Sequence, residues 1–199
     1  VTVAYFSSWG PTDDGRVKPD ICGMGVNVLS TGSGSNTDYV TLSGTSMSSP
    51  NVTGTLYLLQ EYYAQKNAGN FMRSATLKAL ACHTAFDAGK VGPDYIYGWG
   101  LLDMKKAAQT ITDKGTKSMI TENTLSQGQT QTYDGIASGD GTVSATIAWT
   151  DPQGTPSAEG TLNDRTPKLV NDLDIKISDG TTTYNPWVLD PANPSLAAT

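Results

Sequence analysis

Long apolar runs are absent from this chain: nothing in its 199 residues approaches the roughly 18 consecutive hydrophobic residues of a membrane-spanning helix. No span is expected. A basic cluster is missing too, since 13 Lys+Arg are scattered and outnumbered by 19 Asp+Glu, so there is no phosphate-binding footprint and no nucleic-acid partner is expected. Cysteine is scarce. Cys22 and Cys82 alone do not define a disulfide framework, and both are expected to be free thiols. The opening VTVAYFSSWG lacks an initiator Met, and it has neither the basic start nor the cleavage site of a signal peptide. It reads as the middle of a longer precursor, with any targeting signal upstream. Charged residues make up only 16% of a chain rich in Gly, Ser, Thr and Asn, which suits a secreted or cell-surface protein.

What is present divides near residue 113. Before that point, VTVAYFSS, VNVLST and DYVTLSG have the look of short strands joined by Gly- or Pro-bearing turns. A long helix is predicted from Ser46, with Val52, Leu56, Leu59 and Tyr63 at helical spacing and Leu58 and Tyr62 widening the stripe. Pro50 is expected to be harmless there, as part of a first turn with no donor to lose. A second helix fits SATLKALACHTA, with Ser74 as cap and Leu77, Leu80, Ala81 and Thr84 on one face. A third fits LLDMKKAAQTI, with Met104, Ala107, Ala108 and Ile111 buried and Lys105 and Lys106 turned away. From Lys117 onward, apolar and polar residues alternate in SMIT, QTYDGIA, GTVSATIAWT, KLVNDLDIKIS and TTTYNPWVL, which predicts an antiparallel β-sandwich. Residues 151–167 read as a long surface loop. The expected domains are 1–113 and 114–199.

The stretch SGTSMSSPNVTG places Ser46 between a glycine and the start of the long helix. A serine hydroxyl becomes a nucleophile when a base takes its proton and donors hold the oxyanion. The free N–H groups and positive dipole end of a first helical turn suit that task, so the N–H of Ser46 itself is a candidate oxyanion donor. Gly44 would let a substrate backbone come close. The competing reading is that Ser46 or Thr45 merely caps the helix. A nucleophile elbow is disfavoured, because Ser48 stands where that pattern wants Gly.

The segment GTSMSSP resembles the serine signature of the subtilisin-like proteases, Gly-Thr-Ser-Met-Ala-x-Pro, departing only at Ser48. FSSWGPTDDGRVKPDI resembles that family's Ser-Ser-x-Gly-Pro-Thr…Lys-Pro-Asp-Ile segment, and YGWGLLDMKKAAQ is similar to its closing helix. ICGMG departs from the family's x-Ala-Pro-Gly. ATIAWTDP and LVNDLDI resemble the β-sandwich that follows the catalytic domain in one branch. The resemblance implies an α/β fold, the C-terminal part of a three-layer domain with a parallel sheet between helices. An incomplete, jelly-roll-like antiparallel sandwich would follow it. It also implies a secreted endopeptidase acting on protein or peptide substrates, with Ser46 as nucleophile and Gly44, Thr45 and Met47 supporting the motif or the bound substrate. In the family the order is Asp, His, Asn, Ser. The Asp-Thr-Gly and His-Gly-Thr-His motifs are absent here and only 45 residues precede Ser46. The base, its orienting Asp and the oxyanion Asn are therefore expected in a missing N-terminal portion. That portion is the expected partner, and the chain alone is expected to be inactive and prone to self-association.

His83, the one histidine, lies after Ser46 and off the apolar stripe of its helix, so it receives no catalytic role. Asp20, Asp38 and Asp87 are read as turn or cap residues. Met47 is a candidate for oxidative sensitivity beside the reacting serine. No cofactor is required for the chemistry, but calcium is considered as a structural ion at Asp172 and Asp174, with Asn171, Asp151 and Asp164 nearby in sequence. The rival reading is a binding or structural module whose precursor has lost the other catalytic residues.

Overall fold

A computed structural model describes residues 1–137, 139 and 141–199. Its regular elements are β1 (Val28–Thr31), β2 (Tyr39–Leu42), α1 (Thr45–Lys66), α2 (Ser74–Thr84), α3 (Met104–Thr112), β3 (Ile177–Ser178) and β4 (Thr183–Tyr184). Strands β1 and β2 form an antiparallel hairpin with Val28 opposite Leu42 and Thr31 opposite Tyr39. Strands β3 and β4 form another, Ile177 opposite Tyr184.

The helices fall where the 3.6-residue period predicts them, and their stripes make the core. Leu59 and Tyr63 of α1, Leu80 of α2, and Ala107 and Ile111 of α3 are buried together with Met72, while Leu56, Tyr62, Leu77, Ala108 and Ile120 pack around them. Burying one large apolar side chain contributes about 1.5–3 kcal/mol. This cluster therefore anchors α1, the helix that begins beside Ser46. Met104 departs from its expected place in the stripe: as the first residue of α3 it has no preceding turn to cover it and is exposed.

Helix ends show how distant residues take part. α1 stops in a Schellman arrangement, with Ala68 at φ 54° and the Gly69 N–H donating to the Ala64 carbonyl at 2.9 Å. Ser74 does not cap α2, contrary to expectation, because it is already the first helical residue and Arg73 at the cap has no side-chain cap bond. Glu122 takes over the role from outside the helix. Its Oε1 accepts from the Arg73 N–H at 2.7 Å and from the Thr76 hydroxyl at 2.5 Å. At α3, Asp103 accepts from the Lys106 N–H at 2.9 Å as an ordinary N-cap.

The β expectations fare differently. VTVAYFSS is a turn and irregular chain, with Tyr5 98% exposed. Among the described residues the expected parallel sheet is present only as the bridge between Cys22 and Leu101, with Phe86 pairing antiparallel to Leu101, the other parallel bridge, Lys114 with Ser118, being a local turn. The sandwich is likewise reduced to β3 and β4. The physical reason is common to both: a strand persists only where a neighbour takes its N–H and C=O groups and a second layer covers its apolar face. Ile136 and Val143 lack such cover and are exposed.

Residues beyond 113 nonetheless touch the first part. The Arg165 guanidinium donates to the carbonyls of Thr12 and Pro191. The Trp187 ring lies against Gly92, where a Cβ would stand 3.0 Å from it.

Candidate active site

Ser46 occupies the second position of α1 and is exposed. The cap is Gly44, in extended conformation, and no side chain makes a cap bond there. Neither Thr45 nor Ser46 is the cap, so the capping reading does not hold. Gly44 O accepts from the N–H groups of Met47 at 3.0 Å and Ser48 at 3.3 Å, whereas those of Thr45 and Ser46 have no backbone partner among the described residues. The first turn also carries no acidic residue. Its positive potential is thus left for an incoming or developing negative charge.

Gly44 is not required by the chain's own packing. A Cβ there would meet Met47 Sδ at 3.6 Å and Ser46 N at 3.8 Å, ordinary contacts in a backbone conformation open to any residue. Met47 is half-buried beside Ser46.

Pro50 is placed differently from expectation. With α1 starting at Thr45, Pro50 is the sixth helical residue, beyond the first turn. Its missing N–H is the one that would have bonded the Ser46 carbonyl, so that carbonyl loses its intrahelical partner.

The departure at ICGMG lies directly under this turn. Gly44 N–H donates to the Gly25 carbonyl at 2.8 Å, Met24 N–H to Asn51 Oδ1 at 3.2 Å, and Asn27 N–H to Ser43 Oγ at 2.8 Å. Gly23 and Gly25 pack so closely on α1 that a Cβ would stand 2.5 Å from Val52 Cγ2 at the first and 2.8 Å from the Gly44 carbonyl at the second. These positioning contacts escaped the sequence reading. The available signal was Asn27, a polar turn former inside an apolar run.

The other polar candidates lie elsewhere. His83 Nδ1 pairs with Thr146 Oγ1 at 2.9 Å, and burial holds its pKa below the usual histidine value. Asp20 bridges Lys18 and Lys78, Asp38 accepts from the Gly34 N–H, and Asp87 from the Gly92 N–H. Burial pushes the Cys82 thiol up to about 11 and raises that of Cys22, and both are free. A residue not foreseen is Asp94, buried and accepting from the N–H groups of Lys90, Ile96 and Tyr97, which organises the turn before YGWG.

For calcium, Asp172 and Asp174 are exposed. Asp151 is occupied by the N–H groups of Val170 and Asn171 and by the Asn171 amide, and Asp164 by Ser157, Thr166 and Lys168. Those donors hold both carboxyls below the usual range. Among the described residues no three His, Cys, Asp or Glu side chains converge. No helix there is long and apolar enough to cross a membrane.

Ser46 thus stands exposed, two residues after a bare glycine, at the unneutralised start of a core-anchored helix. The chain belongs to the subtilase family, whose sequence profile matches residues 1–100. It is 55% identical over 61 residues to a C5a peptidase of Streptococcus pyogenes, a match covering 31% of this chain and 5% of that protein. Over 90 residues it is 34% identical to the extracellular serine protease of Serratia marcescens, covering 45% of this chain and 8% of the relative. It is 26% identical over 205 residues to the serine protease/ABC transporter B family protein tagA of Dictyostelium discoideum, covering 87% and 11%. The chain therefore spans a small part of the length of these curated relatives. Among solved structures, the Clostridium perfringens CspB protease is similar at 28% identity and a TM-score of 0.45, covering 50% of this chain and 21% of that one.

Proposed function

We propose that Ser46 is the nucleophile of a secreted subtilisin-like endopeptidase of which this chain forms the C-terminal part. Ser46 Oγ attacks the scissile carbonyl, and the Ser46 N–H donates to the resulting oxyanion. A histidine base, its orienting aspartate and an oxyanion asparagine come from residues preceding Val1, which also complete the three-layer α/β domain. Protein or peptide is the substrate, and acyl transfer of this kind needs no cofactor. The observation that carries the reading is the free first turn of α1, where Ser46 is exposed and caps nothing.

The test is covalent labelling. In the complete protease a fluorophosphonate probe should modify Ser46, located by peptide mass spectrometry, and Ser46→Ala should abolish both labelling and peptide hydrolysis. The 199-residue chain alone should do neither. Turnover that survives Ser46→Ala in the complete protein would refute the assignment.

A further inference from the structure

The hairpin that leads into Ser46 ends in a bulge. Between the Val28–Leu42 pair and the bond from Gly44 N–H to the Gly25 carbonyl, the first strand's side advances from 28 to 25 while the second's advances only from 42 to 44. One extra residue on one strand bends the ladder and re-aims whatever follows. At the step stands Asn27, with φ 52°, a left-handed conformation that Asn adopts more readily than most residues.

Asn27 is tied to the facing strand through a side chain. Asn27 N–H donates to Ser43 Oγ at 2.8 Å, and the Ser43 hydroxyl donates to Asn27 Oδ1 at 3.4 Å. One hydroxyl thus both accepts from and donates to a single residue. The next residue, Gly44, is the cap of α1.

We propose that Ser43 is a positioning residue for Ser46: its hydroxyl locks the bulge at Asn27 and so sets the angle at which the chain enters α1. The proposal rests on the reading of Ser46 as nucleophile. No side chain fixes this turn at the cap itself, so the Ser43–Asn27 pair and the Gly44–Gly25 bond are the ties immediately upstream. Loosening one of them lets the attack geometry drift, and a misplacement of about 1 Å can cost up to about 100-fold in rate.

The experiment compares Ser43→Ala, Ser43→Thr, Asn27→Gly and Ser46→Ala in the complete protease on one peptide substrate. Ser43→Ala should lower kcat about tenfold while KM stays within about twofold, the pattern of lost orientation rather than lost binding. Ser43→Thr keeps the hydroxyl and should restore kcat to within about threefold of wild type. Asn27→Gly keeps the left-handed backbone and its N–H but deletes Oδ1, and should fall between. Wild-type kcat in Ser43→Ala, or an equal loss in Ser43→Thr, overturns the proposal while Ser46 remains the nucleophile. Should Ser43→Ala not fold, Asn27→Gly decides: lower kcat at constant KM supports the proposal, and wild-type kcat overturns it. Turnover that persists in Ser46→Ala removes the underlying reading, and the proposal with it.

Discussion

Gly23 and Ser48 face each other across the start of α1: a Cβ placed on Gly23 would stand 3.2 Å from Ser48 Oγ and 2.5 Å from Val52 Cγ2. The two places where this chain departs from the subtilisin-like motifs, ICGMG and Ser48, are therefore in contact. The larger serine sits against a residue that has no side chain.

This contact predicts coupling. Gly23→Ala overfills the site and should cost about 1–3 kcal/mol in the complete protein, by denaturant melts. Ser48→Ala should recover part of that loss when combined with it, since it removes one of the three crowding atoms and leaves Val52 Cγ2 and the Ser48 carbonyl. Strictly additive effects in the double-mutant cycle would show that the two positions do not share the space.

Gly44→Ala should separate folding from catalysis. The new methyl meets only ordinary contacts at 3.6 and 3.8 Å, so the melting temperature should hold. Peptide hydrolysis in the complete protease should drop by at least about tenfold in kcat/KM, because the methyl occupies the path of a substrate backbone toward Ser46. Unchanged kcat/KM would show that the substrate does not approach over Gly44.

Met47 offers a chemical probe of the same turn. Peroxide treatment of the complete enzyme should lower kcat more than it raises KM, through a sulfoxide beside the reacting serine. Met47→Ala and Met47→Ser should resist it. Equal losses in all three proteins would place the sensitive group elsewhere.

Glu122 predicts a pH signature. Burial alone would raise its pKa, but bonds from the Thr76 hydroxyl and the Arg73 N–H, with the Arg73 guanidinium nearby, outweigh that and hold it below 4.5. A carboxyl depressed on folding stabilises the protein above its unfolded pKa, and the benefit is lost as pH falls through the folded value. Glu122→Gln should therefore be less stable than wild type at neutral pH, by about 1 kcal/mol as for a lost cap. The two melting curves should converge as pH drops below about 4.5. A constant offset at all pH values would contradict a charged cap.

The exposed apolar residues predict association of the chain in isolation. Tyr5, Leu29, Tyr39 and Leu58 are each at least half exposed, and among the described residues the hairpin β1–β2 has no further strand at either edge. Sedimentation should find oligomers, and addition of the preceding part of the protease should dissolve them into a defined complex. A compact 21.0 kDa monomer with one cooperative melt would refute this.

The sequence made the helices legible because their signal is local. Leu59, Tyr63, Leu80 and Ile111 recur at the period of the helix that buries them, and Ser46 is marked by a contiguous motif. What escaped was non-local. Glu122 reaches the start of α2 from beyond α3 along the chain, Asp94 collects N–H groups from its own loop, and Ser43 meets Asn27 only once β1 and β2 have paired. Strand patterning in VTVAYFSS and after residue 117 records which faces are apolar, but a strand also needs neighbours that no single segment contains.

Pro50 leaves the carbonyl of Ser46 untied within α1, and helices bend most easily where such a rung is missing. The first turn is thereby a compliant joint on a stiff rod. In the role proposed for Ser46, displacements imposed on it by a growing covalent bond would be absorbed there before they reach Leu59 and Tyr63, leaving the reactive end of α1 mechanically insulated from the part that holds the core together.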